Sequence, residues 1–350
     1  GASPPRMTLI DVRGSRLEHG LSPPLLEAVA EHLQARRQAL LFLNRRGYAP
    51  TLYCQQCGWI ARCRRCDAHL VLHRGEDLLR CHHCDGRQAP PARCPGCGKE
   101  QTLHPLGQGT QRVEAALAER FPGTDIVRID RDSTRHKGSL EALLGRLRDG
   151  AGQILLGTQM IAKGHHLPNI TLVGILDADQ GLFGADFRAT ERMAQLVLQV
   201  AGRAGRARHP GEVLIQSRCP EHPLFHHLLR QDYPAICDLL LEERRQGGLP
   251  PFGALALLRA EAVDTDAPRL FLEAAATRAA DLGTGEVMLL GPAPAPMERR
   301  AGRHRAQLLL QSRRRPPLHR LLAALVPRLD KIPGARRVRW SLDVDPQEMF

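Results

Sequence analysis

Residues 54–97 read CQQCGWIARCRRCDAHLVLHRGEDLLRCHHCDGRQAPPARCPGC and contain eight cysteines in four Cys-x-x-Cys pairs. Two such pairs can place four sulfurs around one tetrahedral ion, so eight cysteines predict two closed zinc sites. An iron–sulfur cluster is disfavoured, because its usual spacings chain three cysteines together. A disulfide scaffold is disfavoured as well, because the rest of the chain is typical of a long intracellular domain. With every position filled by sulfur, both zinc ions are expected to be structural.

Two ways of sharing the ions remain open. Five, fourteen and nine residues separate the successive pairs, and the fourteen-residue gap is close to that of an ordinary zinc ribbon. That gap favours a nested arrangement over a sequential one. The outer site would use Cys54, Cys57, Cys94 and Cys97, and the inner site Cys63, Cys66, Cys81 and Cys84. Nearby histidines could replace a cysteine but are interpreted as flanking or surface residues: His69, His73, His82 and His83.

Outside the cysteine block, the pattern up to residue 217 alternates between helix and strand, which predicts a parallel sheet covered by helices. The predicted helices are 23–38, 110–121, 139–148 and 190–200, and the strands are 39–43, 125–129, 153–156, 171–176 and 212–216. Beyond residue 220 we predict a helix at 224–246, then strands at 255–262, 287–290, 305–311 and 338–344 with helices at 268–281 and 317–329. The predicted domains are an α/β lobe (1–52 and 99–222), a zinc-binding insertion (53–98) and a linker helix with an α+β domain (223–350).

The net charge of +12 is concentrated near the end of the chain. Residues 299–339 contain thirteen Lys or Arg and one acid, which equals the whole excess. This stretch predicts contact with a polyanion or an acidic peptide, with a solvated charged surface as the alternative. No apolar run is long enough to span a bilayer, so we expect a soluble protein without a membrane partner.

Three further motifs carry groups that suit phosphates. The segment 199–206, QVAGRAGR, offers two arginines whose guanidinium groups match a transferring γ-phosphoryl. The segments 157–164, GTQMIAKG, and 41–47, LFLNRRG, each follow an apolar strand. We expect all three segments to meet at one edge of the sheet, where ligands of open α/β sheets bind.

These motifs, the cysteine block, FLNRRGYAP (42–50), GTQMIAKGHH (157–166) and LDVDP (342–346) together resemble the C-terminal half of the PriA family. This family, also called primosomal protein N-prime, comprises bacterial replication-restart DNA helicases, and the resemblance covers essentially the whole chain. It implies a RecA-like second helicase lobe of the α/β class, an inserted all-cysteine zinc module and a C-terminal α+β domain. The resemblance also supports the nested zinc pairing.

The resemblance further implies an ATP-dependent helicase that moves 3′ to 5′ on DNA, recognises stalled or abandoned replication forks and initiates primosome assembly. Implied partners are forked and single-stranded DNA, primosomal proteins, the acidic tail of single-stranded-DNA-binding protein, and the N-terminal half of the same protein. The implied location is cytoplasmic and nucleoid-associated.

Residue roles follow from the same resemblance. Arg203 and Arg206 would be arginine fingers and Gln199 would help to sense nucleotide. DNA contact or coupling would involve Thr158, Lys163 and Gly164. Trp59 is a candidate partner contact, with packing over the zinc cluster as the alternative. The acidic tail would bind Arg299, Arg300, Arg303 and Arg305 beside the apolar strand 308–310, with contact to DNA phosphates as the alternative.

A complete motor also needs a Gly-x-x-x-x-Gly-Lys-Ser/Thr phosphate loop, and the sequence contains no match to that pattern. Asp177 and Asp179 are interpreted as an ordinary strand end rather than a magnesium motif. We therefore expect ATP and Mg²⁺ to bind only in the full-length protein, and no ATP hydrolysis by this chain alone. The alternative function is a non-enzymatic, zinc-stabilised module that binds DNA and proteins.

Overall fold

The structure is a computed structural model, and it describes residues 4–43, 51–106, 110–129, 152–158, 169–182, 186–205 and 210–349. Within 51–106 it leaves out residues 55, 58, 67, 69, 74–77, 82, 83 and 85, and it describes residues 133, 143, 145, 147 and 161 singly. The helix predicted at 139–148 therefore lies outside the described residues except for residues 143, 145 and 147.

The described strands are β1 (Arg6–Asp11), β2 (Gln38–Leu43), β3 (Thr51–Cys54), β4 (Val71–His73), β5 (Leu78–Arg80), β6 (Arg87–Gln88), β7 (Leu103–Leu106), β8 (Ile126–Ile129), β9 (Ile154–Gly157), β10 (Ile170–Leu176), β11 (Glu212–Ser217), β12 (Ala254–Ala262), β13 (Val287–Arg300), β14 (Arg303–Ser312) and β15 (Arg339–Val344). The described helices are α1 (Pro23–Gln34), α2 (Thr110–Arg120), α3 (Ala189–Ala201), α4 (Pro223–Leu229), α5 (Tyr233–Gln246), α6 (Ala267–Asp281) and α7 (Arg315–Leu329). Short 3-10 turns lie at Ala178–Gly181 and Ala335–Arg337.

The chain divides into two compact units. The first comprises 1–49 and 107–239, and the second comprises 50–106 and 240–350. The predicted division into an α/β lobe, a zinc-binding insertion and a C-terminal part stays a prediction.

The first unit is built on a parallel sheet with the strand order β1-β11-β10-β2-β9-β8 in the described residues. Its central strands β2, β9 and β10 are buried along their whole length. Such uninterrupted apolar strands are expected where helices cover both faces of a sheet. On one face, side chains of α1 and α2 pack with those of β2, β9 and β10 in a single apolar cluster. The α/β class predicted for this lobe is confirmed.

The second unit contains two antiparallel sheets. The cysteine block forms a small sheet with the order β6-β5-β4-β3-β7, and the C-terminal segment forms one with the order β13-β14-β12-β15. With α6 after β12 and α7 after β14, the C-terminal segment has a β-α-β-β-α-β topology, as in ferredoxin-like domains. Alternate residues of β12 and β14 pack with α6 and α7 in one core. The predicted α+β domain is confirmed.

Three elements differ from the sequence predictions. No element was predicted where β1 lies. The single helix expected at 224–246 is two helices, α4 and α5, separated by a turn in which Gln231 has φ 56°. The Pro-rich and Arg-rich segment expected to be a turn after residue 290 instead continues β13 as far as Arg300. Here β13 is an edge strand whose pairing with β14 shifts register between Leu290 and Ala293 and between Pro294 and Arg299, and prolines are tolerated on such edge strands.

No helix among the described residues is both long enough and apolar enough to cross a membrane.

Candidate metal centres and motor residues

The four Cys-x-x-Cys pairs adopt the same backbone turn. In each, the amide of the first cysteine donates a hydrogen bond to the carbonyl oxygen five residues later. The four bonds run from Cys54 to Trp59 (2.7 Å), Cys63 to Ala68 (2.8 Å), Cys81 to Gly86 (2.8 Å) and Cys94 to Lys99 (2.9 Å). This turn brings two sulfurs of one pair to the same side, as a shared metal ion requires.

The turns group into two sets of four sulfurs. Within each set all Sγ atoms lie within 4.8 Å of one another, and the sets are Cys54, Cys57, Cys94, Cys97 (site 1) and Cys63, Cys66, Cys81, Cys84 (site 2). Sγ–Sγ distances of 3.7 Å (Cys54–Cys97) and 3.5 Å (Cys57–Cys94) match the value of about 3.8 Å expected around zinc with Zn–S bonds of about 2.3 Å. The grouping is the nested one, and the donor sets fit two structural zinc ions.

The two sites differ in burial. At site 2, Cys63, Cys66 and Cys81 belong to an apolar cluster with Leu52 and Leu79. At site 1, Cys57 and Cys97 are exposed. Site 2 therefore lies in the small apolar core of the cysteine block, whereas site 1 is partly exposed at the surface of the block.

Hydrogen bonds around Cys54 favour the thiolate that a metal needs. Burial raises the pKa of Cys54, but hydrogen bonding with Thr102 and with the amides of Cys57 and Gln56 outweighs burial and lowers it to about 6. The Thr102 Oγ1 lies 3.3 Å from the Cys54 Sγ. Bound zinc would hold all four thiols of the site as thiolates and supply folding free energy to the block.

Trp59 is half-buried and packs against the apolar cluster of the cysteine block. A Cβ added to Gly96 would lie 3.1 Å from the Cβ of Trp59 and 3.2 Å from the Sγ of Cys57. The Cδ1 of the indole would lie 3.4 Å from the same added Cβ, so Trp59 lies beside Gly96 and Cys57 of site 1. Its role as a partner contact stays a prediction.

The segment 157–164 begins at the carboxyl end of β9. The side chain of the buried Ile161 packs directly on the backbone of Gly157. A Cβ added to Gly157 would lie 1.7 Å from Cδ1 of Ile161. The carbonyl of the next residue, Thr158, accepts a hydrogen bond from the Ile161 amide at 3.0 Å. Thr158 itself is half-buried at this edge of the sheet. Lys163 and Gly164 lie outside the described residues.

The 199–206 segment lies at the opposite edge. α3 runs against the strand direction, and the amide of Gly205 donates to the carbonyl of Ile170, the first residue of β10, at 2.9 Å. The expectation that all three motifs meet at one edge is therefore wrong. A segment that follows a helix and precedes a strand enters at the amino edge, whereas Thr158 lies at the carboxyl edge.

Within the 199–206 segment, the residues predicted to contact nucleotide differ in exposure. Gln199 is exposed on the last turn of α3, while Arg203 is 7% exposed. Gly205 has φ +72°, and a Cβ on Gly211 would lie 2.5 Å from the carbonyl carbon of Ala204. The glycines thus allow a tight backbone turn that seats Arg203 in the lobe. Arg206 lies outside the described residues.

The four arginines predicted to bind an acidic tail flank the β13–β14 turn. Because strand residues alternate between faces, Arg303 and Arg305 lie on the sheet face opposite α6 and α7, and Arg300, paired with Arg303, shares it. Arg299 pairs with His304 and so lies on the other face. The structure therefore does not bring all four together.

The predicted apolar part, strand 308–310, is divided between the two faces of the sheet. Leu308 and Leu310 are fully buried in the core beneath α6 and α7, so they cannot contact a docked peptide. Leu309 is half-buried and lies on the face of Arg303 and Arg305, so its part in the site stays a prediction. Alternation along β14 explains this, because residues 308 and 310 face the side opposite to Arg303 and Arg305.

Two arginines from other strands join the cationic face: Arg259, which the sequence analysis did not single out, and Arg339, which it counted only within the basic stretch 299–339. Arg259 on β12 and Arg339 on β15 line a cavity of about 330 Å³ together with Arg305 and Glu261. Glu261 lies 3.8 Å from Arg303 and 3.9 Å from Arg339. Burial, with Arg300 and Arg259 nearby, lowers the pKa of Arg305, and Glu261 offsets this only in part. These arginines come together because β12 pairs with both β14 and β15, and this pairing cannot be read from the sequence.

Family models match three parts of the chain. Residues 106–208 match "Helicase conserved C-terminal domain", residues 63–88 match "PriA DNA helicase Cys-rich region (CRR) domain" and residues 245–347 match "Primosomal protein N C-terminal domain".

Curated relatives cover nearly the whole chain. Replication restart protein PriA of Haemophilus influenzae is 44% identical over 98% of this chain and 47% of its own length. The Bacillus subtilis protein of the same name is 35% identical over 99% and 43%, and the Synechocystis sp. protein is 38% identical over 88% and 38%. The chain thus spans roughly half the length of the curated relatives it matches, or less. Among solved structures, T. fusca Cas3 has a TM-score of 0.34 at 13% identity over 71% of this chain and 22% of that chain, which supports no inference.

The fold and the two cysteine clusters define a class of protein: a helicase C-terminal lobe combined with a zinc-binding module. The C-terminal domain narrows that class, since it matches the primosomal family over 245–347. Along nearly its whole length the chain matches replication restart proteins of the PriA family.

Proposed function

We propose that this chain is the part of an ATP-dependent, 3′-to-5′ DNA helicase that carries its second motor lobe, and that the whole protein recognises stalled or abandoned replication forks and initiates primosome assembly. The observation that carries the proposal is the co-occurrence, in one chain, of a helicase C-terminal lobe, two four-cysteine clusters and a primosomal C-terminal domain. The N-terminal half of the protein would supply the phosphate loop that this sequence lacks.

The described residues of the two motifs, Gln199 and Arg203 at the amino edge and Thr158 at the carboxyl edge, support different roles for the two edges of the sheet. Gln199, Arg203 and Arg206 would contact the γ-phosphate from the amino edge, across the interface with the other lobe. Thr158, Lys163 and Gly164 would contact the DNA backbone or couple DNA to nucleotide. Because β9 and β10 are buried along their length, a shift at one edge is carried to the other with little deformation.

The test measures DNA-stimulated ATP hydrolysis and forked-DNA binding for this chain alone and for the full-length protein. We expect hydrolysis only in the full-length protein. There, Gln199→Ala is the informative variant, because its exposed side chain can be removed without loss of packing. Arg203→Lys keeps the charge but loses the planar fork, and we expect a loss of about 10³-fold or more in kcat if Arg203 acts as a finger.

A thermal-unfolding measurement accompanies each variant, because Arg203 is buried. Unchanged hydrolysis by a folded Arg203→Lys enzyme would remove Arg203 from the nucleotide site. Hydrolysis by this chain alone would contradict the half-motor proposal itself. Forked-DNA binding without hydrolysis, even in the full-length protein, would favour the second candidate: a zinc-stabilised module that binds DNA and proteins without enzymatic activity.

The cationic face of the C-terminal domain supports anion binding, by the acidic tail of single-stranded-DNA-binding protein or by DNA phosphates. Arg303→Glu with Arg305→Glu should weaken whichever ligand uses this face, and Arg299→Glu, on the opposite face, is the matched control. Steep salt dependence of the lost binding identifies DNA phosphates. Loss of tail-peptide binding with DNA binding intact identifies the tail, and intact binding of both removes this face from the proposal. Other primosomal proteins as partners, and a cytoplasmic, nucleoid-associated location, are part of the same proposal.

A further inference from the structure

The turn that joins β13 and β14 contacts zinc site 2. The amide of Ala301 donates to Cys66 Sγ at 2.9 Å, and the amide of Gly302 donates to the Arg65 carbonyl at 2.5 Å. In return, Nη2 of Arg65 donates to the Ala301 carbonyl at 3.3 Å. All four residues belong to the same compact unit, although 235 positions separate Cys66 from Ala301. We call Ala301–Gly302 the hairpin tip.

The geometry of the hairpin tip frees the two amides that make this contact. Arg300 pairs with Arg303, and both intervening residues have positive φ, 53° and 81°. This is the two-residue turn that matches the twist of a hairpin. In such a turn the ladder uses the flanking residues, so the amides of the two central residues need acceptors elsewhere. Cys66 Sγ and the Arg65 carbonyl are those acceptors.

Cys66 differs in this respect from other ligands of the block. The Sγ of Cys63 accepts from the Arg65 amide at 3.4 Å, and the Sγ of Cys94 accepts from the Gly96 amide at 3.3 Å, each within its own turn. Cys66 accepts from a distant part of the chain. Donors to metal-bound thiolates orient them and stabilise their charge.

We propose that the hairpin tip is a positioning element of zinc site 2, and that metal at site 2 in turn fixes the tip and the two arginines that flank it, Arg300 and Arg303. The two effects are reciprocal, because a contact that stabilises the metal-bound state of site 2 must itself be stabilised by the metal. Zinc at site 2 thereby holds part of the cationic face in place.

The first test measures zinc release from the full chain to a chromogenic chelator. Inserting two glycines between Ala301 and Gly302 moves the two amides away from Cys66 and Arg65. The matched control is Ala301→Asn, because Asn suits positive φ and leaves both amides in place. We expect zinc release from site 2 to become about tenfold faster or more in the insertion variant. Release from site 1, and both rates in the control, should not change. A Cys57→Ser variant assigns the two release phases.

The second test reads the reciprocal effect without altering the hairpin. Cys84→Ser removes a ligand from site 2, and Cys57→Ser removes one from site 1. Hydrogen exchange at 297–306 should accelerate only in the Cys84→Ser protein. Equal exchange in the two cysteine variants, or unchanged zinc release after the glycine insertion, would overturn the proposal.

Discussion

Gly157 offers a quantitative test of how the sheet edge is built at Thr158. An alanine Cβ at this position would lie 1.7 Å from Ile161 Cδ1, 2.7 Å from Ile161 Cγ1 and 2.9 Å from the Ile129 carbonyl oxygen. The first two atoms can move only within a packed site, since Ile161 is 1% exposed, and the third belongs to the neighbouring strand β8. Overpacking of this kind costs about 1–3 kcal/mol. We expect Gly157→Ala to lower the free energy of unfolding by about 3 kcal/mol, because a backbone atom is involved.

A double-mutant cycle isolates the cause. Ile161→Val removes the Cδ1 atom that clashes, and alone it should cost about 0.5–1.5 kcal/mol. If the clash is the reason for the loss, the double variant should be more stable than the sum of the two single effects by at least about 1 kcal/mol. Urea unfolding followed by far-ultraviolet circular dichroism measures the three values, and hydrogen exchange of the β9 amides shows whether the loss is local. Additive effects within about 0.5 kcal/mol would refute this account of the packing.

Three further predictions concern the metal sites, pH and the glycine turn. Stripping zinc with a chelator should abolish hydrogen-exchange protection in 51–106 but not in the parallel sheet, and retained protection in 51–106 would contradict a structural role of the metal. Hydrogen bonding to Arg314 lowers the pKa of Glu286 below its usual 4.5, so the pair stabilises the protein above that pH and is lost as the pH falls through the lowered pKa. Glu286→Gln should therefore flatten the acid side of a stability–pH curve, and an unaltered curve would show that the pair contributes nothing. Gly211→Ala should cost about 1–3 kcal/mol in thermal or urea unfolding, because the new Cβ would lie 2.5 Å from the carbonyl carbon of Ala204, and wild-type stability would show that the turn yields.

The sequence predicts the zinc block well because its signal is chemical and local. Spacing alone identified the ligands, and the repeated bond from each first cysteine to the carbonyl five residues later shows why two intervening residues suffice. The central strands were equally predictable. β2, for example, is an uninterrupted apolar run that is buried throughout.

Two of the elements that the sequence analysis missed, the break between α4 and α5 and the strand β1, left some indication in the sequence. Pro234 lies inside the helix expected at 224–246, and a proline there should have ended it. In the structure, Asp232 Oδ1 accepts from the Ala235 amide at 3.0 Å at the start of α5. β1 gave a weaker signal, because as an edge strand with only Met7 buried it lacks the apolar run of the central strands.

What could not be predicted depends on pairing between distant segments. The cationic cavity needs Arg259, Arg305 and Arg339 from three strands, and their register sets which face each occupies. The same holds for the hairpin tip at Cys66, whose amides carry no side-chain signature at all. A site formed by side chains at short sequence spacing, such as the zinc ligands, can be predicted from the sequence. A site that depends on backbone amides or on strand register cannot.

The ends of the cysteine block explain how a metal-dependent segment can interrupt the lobe. β3 and β7 pair antiparallel with Thr51 opposite Leu106, so the chain enters and leaves the block at points about 5 Å apart. The lobe on either side of the block keeps its own packing, because Leu41 of β2 and Val113 and Leu117 of α2 belong to one apolar cluster that includes no cysteine of the block. Because its ends lie close together, the block can be inserted at the position of a short loop without changing the spacing of the elements on either side. Zinc would therefore govern the folding of the block without supporting the apolar cluster of the parallel sheet, because the two clusters share no residue.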